Sequence, residues 1–106
     1  MGVNVVDIGY GVDTEAGTNA PRIRASRSRK ASPMHDPLDL GDATDADDRA
    51  KYKATLTAAK TSKAAFVSSF TAQWGTTAAG VVQGWTTGER DALWETAKET
   101  ADLFGI

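Results

Sequence analysis

The chain has 106 residues, 41% of them hydrophobic and 8% aromatic, with a net charge of −2. That length admits one domain. With no cysteine there is no disulfide, thiolate nucleophile or thiolate metal ligand, and no apolar run approaches the ~20 residues of a membrane-spanning helix.

The small net charge conceals blocks. Residues 1–20 carry three acids and no base, and residues 21–35 carry five bases and no acid. Residues 36–48 hold six Asp and no base, and residues 49–74 hold five bases and no acid. Residues 75–106 return to acid, five against two bases. Like-charged blocks in weakly hydrophobic sequence repel themselves and stay extended until a partner neutralises them.

At the N-terminus Val6, Ile8, Tyr10 and Val12 alternate with smaller or polar residues. That period of two predicts a half-buried strand over about residues 3–12. Gly9 and Gly11 fall on its other face. The stretch "VVDIGYGVD" resembles the first motif of the Rossmann-like methyltransferases, in which a strand ends in Asp and spaced glycines let the backbone approach the cofactor. Gly9 and Gly11 match that pattern. Asp13 stands at the third glycine position, and a turn and a proline follow where the motif has a helix. The motif has force only between a strand and a helix, so no cofactor is assigned. No basic segment opens the chain, so a signal peptide is not expected, and the expected location is a virion or the cytoplasm.

After the turn "DTEAGTN" comes "PRIRASRSRK". Its cations are Arg22, Arg24, Arg27, Arg29 and Lys30. The planar guanidinium fork suits carboxylates and phosphates alike. No aromatic residue lies within the stretch to stack on a base, so nucleic-acid binding here would follow the phosphate backbone and weaken with salt. "SPMHDPLDLGD" reads as loop, broken by Pro33 and Pro37. Ser32, His35 and Asp36 could be named as a triad, but one loop gives them nothing to orient the imidazole. The Asp-rich run "DLGDATDADD" lacks the Gly and Glu of a calcium loop. Its acids read as helix caps and as counter-charges to the neighbouring bases. Residues 1–45 are therefore expected as an extended arm with one strand-like segment, and deletion of residues 1–30 is expected to leave the helices nearly intact and abolish assembly.

Thr44 or Asp45 is a good N-cap, with Asp47 and Asp48 in the first turn. Tyr52, Leu56, Phe66, Phe70 and Trp74 then recur at helical spacing, which predicts one long helix over about 46–74 stopped by Gly75. Residues 75–86 read as a short helix or an irregular link. Thr86 and Glu89 form a capping box. Leu93, Ala97, Ala101 and Phe104 form the stripe of a second helix over about 87–104, with Trp94 beside it and Gly105 at its end. The two helices are expected to pair antiparallel in a small domain, residues 46–106, around Trp74, Trp85 and Trp94.

The fold class expected is mainly α: a C-terminal helical pair preceded by an extended arm. A helical core of this size rarely supplies more than about 3–5 kcal/mol, so docking in a larger body would help it. The function expected is a non-enzymatic structural or assembly protein in a larger oligomer. Its most concrete form is a small phage or virus virion component, such as a head–tail adaptor, decoration or capsid-associated protein. Val6, Ile8, Tyr10 and Val12 would add a strand to a neighbour, and the cations would meet its carboxylates. The partners expected are copies of the chain or other structural proteins, with no cofactor, metal, membrane or small-molecule substrate. The alternative is a small nucleic-acid-associated protein that uses the Arg-rich arm.

Overall fold

The computed structural model describes residues 4–13, 20–29 and 35–106. Three strands precede three helices: β1 (Asn4–Asp13), β2 (Ala20–Arg29), β3 (His35–Asp42), α1 (Ala46–Thr61), α2 (Lys63–Gln83) and α3 (Thr87–Leu103). The chain is mainly helical. The segment expected as an arm with one strand is instead a three-stranded antiparallel sheet in the order β1-β2-β3.

The basic stretch forms the central strand. Ile8 stands opposite Ala25, and Tyr10 opposite Ile23, while Leu38 faces Ala25 from the other side. One face is therefore Val6, Ile8, Ile23, Ala25 and Leu38, and it joins the hydrophobic core of the helices. A register shift between Ile23 and Arg24 leaves Leu40 as an extra residue in β3, and Leu40 too packs on the core. The opposite face carries Asp7, Arg22, Arg24, Ser26 and Asp39. Arg22 grips Asp39 with three contacts of 3.0–3.2 Å, and Ser26 donates to Asp7 at 2.8 Å. The Arg24 side chain crosses Gly11 so closely that a Cβ there would lie 2.1 Å from its Nη2. Gly11 thus makes room for an arginine, and β1 leads to an antiparallel strand where a methyltransferase motif requires a helix.

Asp45 caps α1 through the backbone N–H groups of Asp47 and Asp48 (2.8 and 3.1 Å). Asp48 accepts from the Asp42 backbone at 2.9 Å. Asp42 accepts from the Thr44 hydroxyl and N–H, and those two bonds hold its carboxyl below the usual range. The Asp-rich run therefore builds the corner from sheet to helix.

The expected single long helix is two. Ser62 is extended (φ −170°, ψ 164°); it ends α1 and caps α2 by accepting from Ala65 N at 3.0 Å. The break lets α2 fold back on α1, so that Phe66 and Phe70 share a core with Tyr52, Leu56 and Ala59. Gly75 (φ 87°, ψ 170°) leaves the helical conformation where the sequence predicts a stop, and a second helical stretch then runs on to Gln83 across the kink. That left-handed φ is open to glycine at little steric cost. The link expected at 75–86 is therefore mostly helix.

Four polar side chains tie the layers. Trp74 Nε1 donates to Thr55 Oγ1 and Trp94 Nε1 to the Ala59 carbonyl, both at 3.0 Å. Tyr52 donates to the Ile8 carbonyl at 3.3 Å. Thr96 shares its hydroxyl between the Ala92 and Val6 carbonyls (2.8 and 3.2 Å). Val6 and Ile8 are alternate residues of an edge strand, so their carbonyls face the same side. Helices α1 and α3 thus cover a stretch of the β1 edge that the sequence reading offered to a neighbour.

Sheet and helices share one core, so the sheet is needed by the helices. Removing residues 1–30 takes Ile8, Ile23 and Ala25 out of that core. Far-ultraviolet circular dichroism of the truncated chain should show loss of most helix; retained helix would mean that α1–α3 stand alone. Phe70→Ala, which empties a buried ring site, should cost about 3–5 kcal/mol in urea unfolding.

Candidate functional site

The residues singled out in the sequence have three fates. Ile8 is buried, and Val6 packs partly buried against the core. Tyr10 is 51% exposed. The side chains of Val12 and Arg29, all of Lys30 and Ser32, and the side chains of His35 and Asp36 lie outside the described residues. Of the helix residues, Tyr52, Leu56, Phe66, Phe70 and Leu93 are buried, and Trp74 and Trp94 pack partly buried beside them. Phe104 departs from the stripe: it is 54% exposed, and its ring lies 6.3 Å from both Tyr10 and Tyr52.

Arg27 is the cation that turns inward. It shares the core face with Ile23 and Ala25, and its Nη1 donates to Glu89 Oε1 at 2.8 Å. Its guanidinium lies 5.5 Å from the centre of the buried Trp85 ring. Glu89 is only 5% exposed, and the same oxygen accepts from Thr86 N at 2.9 Å. Thr86 in turn accepts from Glu89 N at 3.1 Å, completing the capping box of α3 that the sequence pattern predicts. Burial pushes the Glu89 carboxyl up, but the bonds from Thr86 and Arg27 outweigh it and hold it below its usual range. Burial pushes the Tyr52 phenol well above its usual value, with Tyr10 and Asp7 adding to the shift, so Tyr52 stays a neutral donor. Glu89 ties β2 to the start of α3, and Tyr52 ties β1 to α1.

Apolar surface collects in two places. The first is a groove of about 300 Å³ between the two halves of α2 and the start of α3. Phe66, Val67, Phe70, Ala79, Val82 and Trp94 give its apolar wall, and Lys63 and Arg90 stand among the residues that line it. Val67 is 46% exposed. Lys63 pairs with Asp91 on α3, and Arg90 donates to the Gln83 and Trp85 carbonyls at 2.6 and 3.0 Å. The kink at Gly75 opens this groove, because it swings the end of α2 away from the line of its first half.

The second is a knob at the end of α3. Leu103 is 85% exposed and Phe104 follows it. Gly105 (φ 72°) donates to the Asp102 carbonyl at 3.1 Å, and Ile106 donates to the Ala101 carbonyl at 2.9 Å. This pair of bonds is a Schellman motif. It turns the chain back so that Ile106 packs on the core while Leu103 points outward and Phe104 lies half-exposed against Tyr10 and Tyr52. The helical spacing marked Phe104 as apolar, but it carried no sign that the terminal turn would present it to solvent.

No family model, curated protein or solved structure matches this chain.

Glu89→Gln keeps a side chain able to cap but removes the charge that Arg27 meets. Its folded-state acidity is raised, so the stabilisation from the carboxylate is whole above the ordinary value of 4.5 and drains as pH falls through the lower folded value. The wild type should therefore lose stability more steeply than Glu89→Gln as pH drops below that ordinary value. Parallel acid-side curves from urea unfolding would contradict this. Glu89→Ala, which loses cap and ion pair together, should cost about 2–4 kcal/mol at neutral pH.

Proposed function

We propose that the chain is a non-enzymatic structural subunit that docks in a larger oligomer. The observation that carries the reading is the pairing, on one small domain, of a formed apolar groove with a rigidly presented apolar knob. Exposed anchors beside well-formed pockets are how interfaces obtain most of their energy, and contiguous apolar surface on a small protein marks a contact site. The most concrete form of the role remains a small phage or virus virion component, in which many copies of a minor protein meet each other or a shell protein.

The nucleic-acid alternative loses part of its motivation. Arg22 and Arg27 already meet carboxylates of their own chain. For these two arginines a carboxylate lies within the chain itself.

The test is composition. Particles purified on a density gradient from the source of this protein should contain it at a fixed ratio to their principal subunit, measured by quantitative mass spectrometry. A chain found only in the soluble fraction would overturn the role. Sedimentation with a short duplex DNA at low salt should show no shift of the protein boundary; a shift reversed by high salt would favour the nucleic-acid reading.

A further inference from the structure

We propose that copies of this chain associate head to tail, with the Leu103–Phe104 knob of one copy seated in the α2–α3 groove of the next. The inference rests on the assembly role above and names the partner: a second copy.

Size agrees first. An apolar cavity of about 150 Å³ admits a benzene ring; the groove offers about 300 Å³, which suits one phenyl ring and one branched aliphatic side chain. Chemistry agrees next. The lining supplies aromatic and aliphatic surface from Phe66, Phe70, Val82 and Trp94, which suits leucine and phenylalanine.

Charge agrees as well. Lys63 and Arg90 border the groove. Glu99 and Asp102 lie one turn apart on α3, on the side of the helix that leads to Leu103. The knob therefore arrives with acids beside it where the groove has bases. Asp102 pairs with Lys60, and Lys63 with Asp91. These pairs are exposed, and exposed pairs are weak, so they can share or exchange partners.

Geometry excludes the internal alternative. Trp94 belongs to the groove and Phe104 to the knob, and both ride on α3. Ten residues of helix separate them by about 15 Å. The knob cannot enter its own groove, whereas a neighbour's can. Made head to tail, such a contact propagates into a ring or a filament; a wild type that stopped at a dimer would have exchanged knobs reciprocally and would overturn the head-to-tail arrangement. The Schellman turn fixes the knob before binding, which removes part of the ordering cost.

The experiment uses the full chain in sedimentation velocity over a concentration series, with Leu103→Asp as the knob variant and Val67→Asp as the groove variant. Both positions are solvent-facing, and circular dichroism checks that each variant is folded; Val67→Lys replaces the groove variant if it is not. The wild type should form species beyond a dimer as concentration rises. Each variant alone should stay monomeric. An equimolar mixture should form a 1:1 dimer and nothing larger, because one intact knob and one intact groove remain.

A wild type still monomeric at about 1 mM would overturn the contact. So would a variant that assembles like the wild type, or a mixture that stays monomeric. A chain that is monomeric in this assay yet recovered in purified particles would overturn the head-to-tail contact and leave the structural role standing. Association in the assay with absence from particles would support the contact and remove the role.

Discussion

The ion pair between Arg27 and Glu89 is the joint on which the two halves of this fold depend. One carboxylate oxygen accepts from the guanidinium of the central strand and from the backbone N–H of Thr86. The oxygen that caps the start of α3 is thus also the oxygen that holds the strand to it. Helix α3 then runs along β1, where Thr96 reaches the Val6 carbonyl, and its far end closes over Tyr52 and Tyr10 through Phe104. Burying a charge is costly, and a buried pair adds little net stability against an apolar substitute. What it adds here is a penalty for misplacement. In β2 the residues Ile23, Ala25 and Arg27 point one way, and Arg22, Arg24 and Ser26 the other. A slip of one residue would turn Arg22 and Arg24 into the core and leave Glu89 without its cation.

The charge blocks follow from the same logic. Each block neighbours a block of opposite sign in the fold. Arg22 of the basic segment meets Asp39 of the acidic one, and Ser26 meets Asp7. Lys60 and Lys63, around the break between α1 and α2, meet Asp102 and Asp91 of α3. Lys98 lies over the Trp94 ring, its Nζ 3.8 Å from the centre. Segregated charge repels itself only while the chain is extended; once folded, neighbouring elements neutralise one another. A pattern that suggests an arm awaiting a partner is equally the pattern of strands and helices that pair with each other.

This explains which parts of the fold were legible in the sequence. Some helix ends were, because caps are local chemistry: Asp45, the Thr86–Glu89 box and Gly105 act where the sequence shows them, and Gly75 breaks the helix where a stop is expected, although a further helical stretch follows it. The apolar stripe of Tyr52, Leu56, Phe66 and Phe70 was legible for the same reason. Strand β2 was not, because hydrophobic alternation there amounts to Ile23 and Ala25, and the third inward position holds Arg27. A cation at a core position reads as a solvated residue unless its carboxylate is known, and Glu89 lies 62 residues away. Strand β3 was hidden by Pro37 and by the bulge that sets Leu40 out of register with Ile23. Ser62 was hidden by its neighbours, since one serine in a run of Ser, Thr and Ala does not mark a helix start. Of the candidate site, the sequence showed the apolar residues but not the groove, which exists only because α2 folds back at Ser62 and bends at Gly75.

Where the arm has become a sheet, the means of association changes. A disordered arm that wraps a neighbour gives up much of its contact energy to ordering. A knob held by two backbone bonds, and a groove formed by packed helices, require little ordering and give a small, weak contact. Weakness suits a subunit that acts in number. Within a closed ring or on a shell, each further contact forms among partners already held in place, so modest pairwise affinity gains from effective concentration. Free in solution, the same subunit stays dispersed, because the exposed pair of side chains at Leu103 and Phe104 is too small to drive aggregation by itself. The geometry that exposes the knob also sets it about 15 Å along α3 from the groove, so in the proposed contact one helix would carry both the socket and the plug.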